Sequence, residues 1–350
     1  MLAGIGALIR FANSLNISQT TMKYSLKKLL GFGLILILTA IALISLRSKQ
    51  VLQPLIVGMN DWPGYSVILY AESKGLFTKR GLDVKLVHFE EQNDNLRATM
   101  RGYQDASFAP LPQAMQLDFP QDTPEFILVA DVSAGSDGIV ARPGLNFMSQ
   151  MPGKKISARS GSLAHVILLE ALWANDLDLD EVEIIDISNE EGVNHLKNGS
   201  IDAAVLWDPL LEKTAEEIGG NIIYTTAEID SMVVDGLITR PAVVEEKQEE
   251  LIRFIQVWLE VMDAVETNPE EVFTIVAQQL DVPVEVFVQG FQGMIHGDRL
   301  LNEKMLVQRQ LESVISRGYR LLLESYRHRL IIRDDIVINS RLFSQAVERS

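Results

Sequence analysis

The feature that most constrains this chain is an alternation of strand-like and helical stretches that runs through once and then starts again. Residues 54–59 read as a strand, 66–77 as a helix, 82–89 as a strand and 94–101 as a helix, with further strands at 105–109 and 126–132. After Gly144 the order returns: a strand at 155–159, a helix at 162–175, a strand at 182–187, a helix near 192–198 and a strand at 201–207. Short β-branched runs alternating with helices predict a parallel sheet covered by helices. Each stretch also carries a G-x-x-D-A sequence between a helix and a strand, at Gly102-Tyr103-Gln104-Asp105-Ala106 and Gly199-Ser200-Ile201-Asp202-Ala203. Glycine stops a helix well and aspartate turns the chain into its strand, so the pair reads as a weak internal repeat of two α/β lobes.

A second pair of segments brackets the second stretch. Asp137-Gly138-Ile139-Val140-Ala141-Arg142-Pro143 and Asp235-Gly236-Leu237-Ile238-Thr239-Arg240-Pro241 are both apolar strands entered by Asp-Gly and left through Arg-Pro. They are expected to be paired crossings by which the chain leaves one lobe and returns, with hinge points near Arg142 and Arg240 where proline fixes the exits. Beyond Pro241 the pattern is almost wholly helical, with Pro269 and Pro283 placed where proline favours a helix start. The expected division is lobe 1 at 51–140, lobe 2 at 141–237, and a return to lobe 1 with a helical C-terminal part at 238–350.

Residues 1–50 are set apart from this. Lys27 and Lys28 precede an apolar run at 29–46 that contains Ala40-Ile41-Ala42, a small-x-small sequence of the kind signal peptidase reads. The segment is expected to be a signal peptide or an N-terminal membrane anchor, since about 18 apolar residues can just span a bilayer. Met22-Lys23 would begin a signal of normal proportions. Positive charge ahead of the run sends the rest of the chain outside.

Charge and cysteine content exclude several functions. The 31 Lys and Arg against 47 Asp and Glu leave a net charge of -16, so no basic face is available for nucleic acid. No G-x-x-x-x-G-K-[ST] phosphate loop occurs. The chain has no cysteine, which removes disulfides, thiolate metal sites and cysteine nucleophiles.

Gly58-Met59-Asn60-Asp61-Trp62-Pro63-Gly64-Tyr65, followed by Ala71-Glu72-Ser73-Lys74-Gly75-Leu76-Phe77 and Gly81-Leu82-Asp83-Val84, resembles the opening of the nitrate, sulfonate and taurine binding proteins of ABC importers, a family that includes thiamine-pyrimidine binders. Asp131-Val132-Ser133-Ala134-Gly135-Ser136-Asp137-Gly138-Ile139, Leu206-Trp207-Asp208-Pro209 and Val234-Asp235-Gly236-Leu237 continue the likeness, which spans about 54–303. The resemblance implies a type II periplasmic-binding-protein-like fold with a small-molecule ligand held between lobes. It also implies an ABC permease and its ATPase subunit as partners, no cofactor and no catalysis. Two alternatives stand beside it: an enzyme related to pyridoxal-phosphate-dependent pyrimidine synthases, which depend on a cysteine-rich motif, and a membrane-anchored ligand sensor.

In open α/β sheets ligands bind beyond the carboxyl ends of the strands. Residues 60–65, 110–112, 160–162 and 207–209 fall there. Asp61, Trp62 and Tyr65 flank a rigid Pro-Gly turn. Ser160 and Ser162 open a helix whose free amides could hold an anionic group, with His165 one turn on. Trp207 and Asp208 precede Pro209, which favours an extended Asp208. Asp137 and Asp235 begin the two crossing strands, beside Ser133. Carboxylates gathered at Asp137, Asp208 and Asp235 would repel one another unless a cation compensates, so a ligand bearing a positive amine or a donor-rich ring is expected in preference to bare nitrate.

Overall fold

The computed structural model describes residues 53–118, 122–228, 232–326 and 332–350; the signal or anchor expected at 1–50 lies outside them. Among the described residues no helix is long and apolar enough to cross a membrane. Twelve strands among the described residues form two sheets. They are β1 (Leu55–Met59), β2 (Val84–His88), β3 (Ala106–Pro110), β4 (Glu125–Ser133), β5 (Asp137–Ala141) and β6 (Lys155–Ser157), then β7 (Glu183–Ile185), β8 (Ala203–Trp207), β9 (Asn221–Thr225), β10 (Val234–Thr239), β11 (Met294–His296) and β12 (Val337–Ile338).

The first sheet runs β11-β4-β10-β3-β1-β2, with β12 on β4, and the second runs β7-β6-β8-β5-β9. Set side by side, they are one design used twice. Three parallel strands, β2-β1-β3 or β7-β6-β8, are followed by one antiparallel strand, β10 or β5, and then by β4 or β9.

The G-x-x-D-A repeat has a mechanical meaning in this design. Gly102 and Gly199 both take φ +77, the left-handed region where glycine is unstrained. The aspartate three residues on extends the parallel ladder. Asp105 donates its N–H to the Ile56 carbonyl and accepts the Ile56 N–H on its carboxylate, and Asp202 makes the same two bonds with Lys155.

The Asp-Gly strands differ from expectation. β5 and β10 do not pair with each other; each lies antiparallel inside a different sheet, β5 between β8 and β9 and β10 between β3 and β4. The expected boundaries at 140/141 and 237/238 therefore cut through strands that are bonded along their length in the sheet they enter. The chain crosses before Asp-Gly, at 134–136 and between β9 and β10, instead of at the Arg-Pro exits. Arg142 instead ties β5 to the second repeat, donating its N–H to the Asp202 carbonyl and holding the Asp202 carboxylate at 2.6 Å. Pro241 opens the short helix Pro241–Glu246.

The first core gathers around β3, where Phe108 lies 5.2 Å from the Tyr65 ring and 5.4 Å from Trp258 of the helix Gln248–Thr267. The final helix Ser340–Glu348 packs on that same helix, with Gln256 Nε2 donating to the Ala346 carbonyl. The second core centres on Ile139, Leu168, Val205 and Tyr224, all buried.

Candidate functional site

A cleft of about 580 Å³ opens where the carboxyl ends of the parallel strands of both sheets face each other. Residues following β1 and β3 form one wall, and residues following β6 and β8 the other. The topology explains two of its carboxylates. The antiparallel strands start where the parallel ones end, so Asp235 pairs with Pro110 at the end of β3 and Asp137 with Trp207 at the end of β8.

Trp62, Pro63 and Tyr65 form a turn built around a carboxylate. Trp62 Nε1 donates to Asp131 Oδ2 at 3.2 Å, and a Cβ on Gly64 would stand 2.0 Å from that same oxygen. Only glycine lets the backbone pass so close. Pro63 begins the short helix Pro63–Ser66, the Ser66 hydroxyl donates to the Trp62 carbonyl, and the buried Tyr65 hydroxyl donates to Asn60 Oδ1.

The electrostatics are one-sided. Burial pushes Asp131, Asp137 and Asp235 up from the ordinary carboxylate range, and each is pushed further by neighbouring carboxylates. Asp137 reaches about 7 against a smaller opposing effect from the Ser133 hydroxyl, while no hydrogen bond of normal geometry reaches either of its oxygens. Asp208 is raised to about 6 by burial, partly offset by the Glu212 N–H that its Oδ1 accepts at 3.3 Å. Its own N–H donates to the Ser136 carbonyl, and the Asp208–Pro209 peptide is cis. Burial and the nearby carboxylates also push the Tyr65 hydroxyl well above its ordinary value.

Of the residues singled out in the sequence, the structure brings Asp61, Trp62, Tyr65, Asp137, Ser162, Trp207, Asp208 and Asp235 to this cleft. Three lie elsewhere. Ser133 is buried behind it, its hydroxyl 2.7 Å from that of Thr226, so it joins the two crossings. Ser160 is exposed outside the lining, with its N–H already donated to Asp186 Oδ1 at 3.0 Å. His165 points into the protein from the helix Leu163–Ala174, where burial lowers it to about 4. Ser162 occupies the N-cap position, but its hydroxyl donates to the Arg159 carbonyl and caps no helix amide.

Several lining groups carry no local sequence signal and come to the cleft only through the fold. His88, at the end of β2, lies 2.6 Å from Asp61 Oδ1, and Gln113 donates to Asn93 Oδ1. Arg159 reaches across the cleft to Glu91 at 3.4 Å. Asp131 lies just behind the lining, held by Trp62.

Known proteins share this architecture. A provisionally named binding protein of Brucella abortus (strain 2308) is 29% identical over 233 residues, 65% of this chain and 72% of that one. A provisionally named aliphatic sulfonates-binding protein of Bacillus subtilis is 26% identical over 204 residues, covering 55% and 60%. The crystal structure of the periplasmic aliphatic sulphonate binding protein of Escherichia coli superposes with a TM-score of 0.66 at 15% identity, over 81% of this chain and 97% of that one, so the fold is that of a periplasmic binding protein. The model of the NMT1-like family matches residues 49–280, and with about two thirds of its length so matched this chain belongs to the NMT1-like family.

Proposed function

We propose that this chain is the extracytoplasmic solute-binding component of an ABC importer, which closes two α/β lobes on a small organic ligand and hands it on unchanged. The observation that carries this reading is the cleft itself, walled by strand ends from two sheets that share one topology and are joined by two crossings. Only a closed arrangement lets both walls touch one ligand, so binding favours closure by that difference in affinity. Trp62, Tyr65 and Trp207 supply aromatic surface, and Asp137, Asp208 and Asp235 supply polar recognition. Delivery requires a membrane permease and an ATPase, which match the likeness to importer binding proteins. Export through residues 1–50 fits the same role. The pyridoxal-phosphate enzyme alternative is not favoured, because a chain without cysteine lacks the motif on which those enzymes depend.

The test is a thermal-shift screen of the exported part against sulfonates, taurine, nitrate, pyrimidines and aromatic acids. A ligand at a hundred times its Kd stabilises the folded state by about 2.7 kcal/mol, enough to raise Tm by several degrees. A true ligand should do this at one-to-one stoichiometry without being consumed. Turnover of any of these compounds would replace the reading with an enzymatic one.

A further inference from the structure

We propose that the cleft holds a seat for a positively charged nitrogen, in which the Asp137 carboxylate, beside Trp207, receives an ammonium or amidinium group of the ligand. This deepens the binding-protein reading and rests on it.

Three independent observations converge on the seat. Asp137 is fully buried, yet no hydrogen bond of normal geometry reaches either carboxylate oxygen, and only the Ser133 hydroxyl stands near enough to oppose the effect of burial. A buried carboxylate without donors is costly, and native proteins rarely leave one so. This one lines the cleft, where a ligand can supply the missing donors.

Its cross-strand neighbour is Trp207, which also lines the cleft. Paired residues of an antiparallel ladder stand on the same side of the sheet. An indole face next to a carboxylate suits a cation, because the ring quadrupole and the negative charge attract the same group.

Among the described residues, no basic group bears on Asp137. The charged groups that bear on Asp137 are Asp208 and Glu170, opposed by the Ser133 hydroxyl, and Asp137 in turn acts on Asp131, Asp235, Tyr65 and Tyr224; every titratable group among them is an acid. Among the residues lining the cleft, seven carry carboxylates and one, Arg159, carries a guanidinium, which already faces Glu91. At the turn that could have held an anion, the Ser160 N–H is already given to Asp186 and the Ser162 hydroxyl to the Arg159 carbonyl. A sulfonate or nitrate entering here meets seven carboxyl groups and a single guanidinium that a carboxylate already faces.

The test uses three probes with one ring body and different charge: benzylamine, benzyl alcohol and phenylmethanesulfonate, titrated calorimetrically into the wild-type chain near neutral pH. Benzylamine should bind tightest, and Asp137→Asn should weaken it about a hundredfold while hardly changing benzyl alcohol, as expected when a buried charge pair loses one partner. A second measurement needs no variant. In buffers of different ionisation heat at about pH 6.5, benzylamine should release protons from the wild-type protein, because a cation favours the ionised carboxylate. Tightest binding of phenylmethanesulfonate, or proton uptake with benzylamine, would overturn the seat and leave the importer reading standing. Binding by none of the three, with no stabilisation by any compound of the thermal-shift screen, would remove both.

Discussion

Asp137 shows how a single residue can work against the stability of the protein that carries it. Its folded value of about 7 lies above its ordinary 3.8, so between those values the folded chain holds a proton that the unfolded chain releases. The stabilising contribution is therefore complete below about pH 4 and is lost as pH rises through about 7. Asp131 and Asp235 are displaced in the same direction and add to the slope. Urea melts of the free protein should show stability falling from about pH 5 to 8, and Asp137→Asn should flatten that fall and raise stability at the alkaline end by about 1–3 kcal/mol. A variant less stable than the wild type at the alkaline end would mean that the carboxylate holds structure. Asp137 was legible in the sequence because Asp-Gly opens a strand. Asp131 was not, although its signal was present: an ionisable residue in the middle of the apolar run Phe126-Ile127-Leu128-Val129-Ala130-Asp131-Val132. Its role depends on Trp62 and Gly64, nearly seventy residues away, and no local pattern reports such a contact.

At the scale of elements, the two G-x-x-D-A turns do the same work in different surroundings. Asp105 and Asp202 each close a parallel ladder, but Asp105 holds a mostly buried Lys247 at 2.8 Å, whereas the Arg142 that Asp202 holds is 44% exposed. Asp105→Ala should therefore cost about 3–5 kcal/mol, because it leaves a mostly buried ammonium with the Pro54 carbonyl and no counter-charge. Asp202→Ala should cost about 1.5–3 kcal/mol, the worth of hydrogen bonds to a charged group whose partner can turn to water. Equilibrium denaturation of the two variants checks the order, and equal costs would show that the ladder bonds alone matter. The repeat was readable because it is local: a helix stop, a turn and a strand start within five residues. Sheet membership was not. Asp137–Ala141 and Val234–Thr239 look alike in sequence, and which sheet accepts each depends on strands far along the chain.

Across the whole molecule, the two crossings are braced against each other. Thr226 Oγ1 lies 2.7 Å from the Ser133 hydroxyl and accepts the Gly135 N–H at 2.9 Å. Rotation of one lobe against the other is expected to turn about these two segments, so small-angle scattering should show a smaller radius of gyration when a confirmed ligand saturates the protein. An unchanged radius in a chain that starts open would mean a rigid pocket. The rim pair Arg159–Glu91 is solvent-exposed, and such pairs contribute only about 0–1 kcal/mol. Glu91→Gln should thus change affinity less than about fivefold, well below the effect expected at Asp137. The doubled topology also has a consequence for the order in which the chain assembles. All strands of the second sheet lie in one continuous stretch, 137–225, while the first sheet draws β1 to β4 from before that stretch and β10, β11 and β12 from after it. As the chain emerges, the later-numbered lobe can complete its sheet first, and the earlier one must wait with β3 and β4 unjoined until β10 arrives between them. Pulse-labelling hydrogen exchange during refolding should find β5, β6 and β8 protected before β1 and β3, the reverse of their order of synthesis.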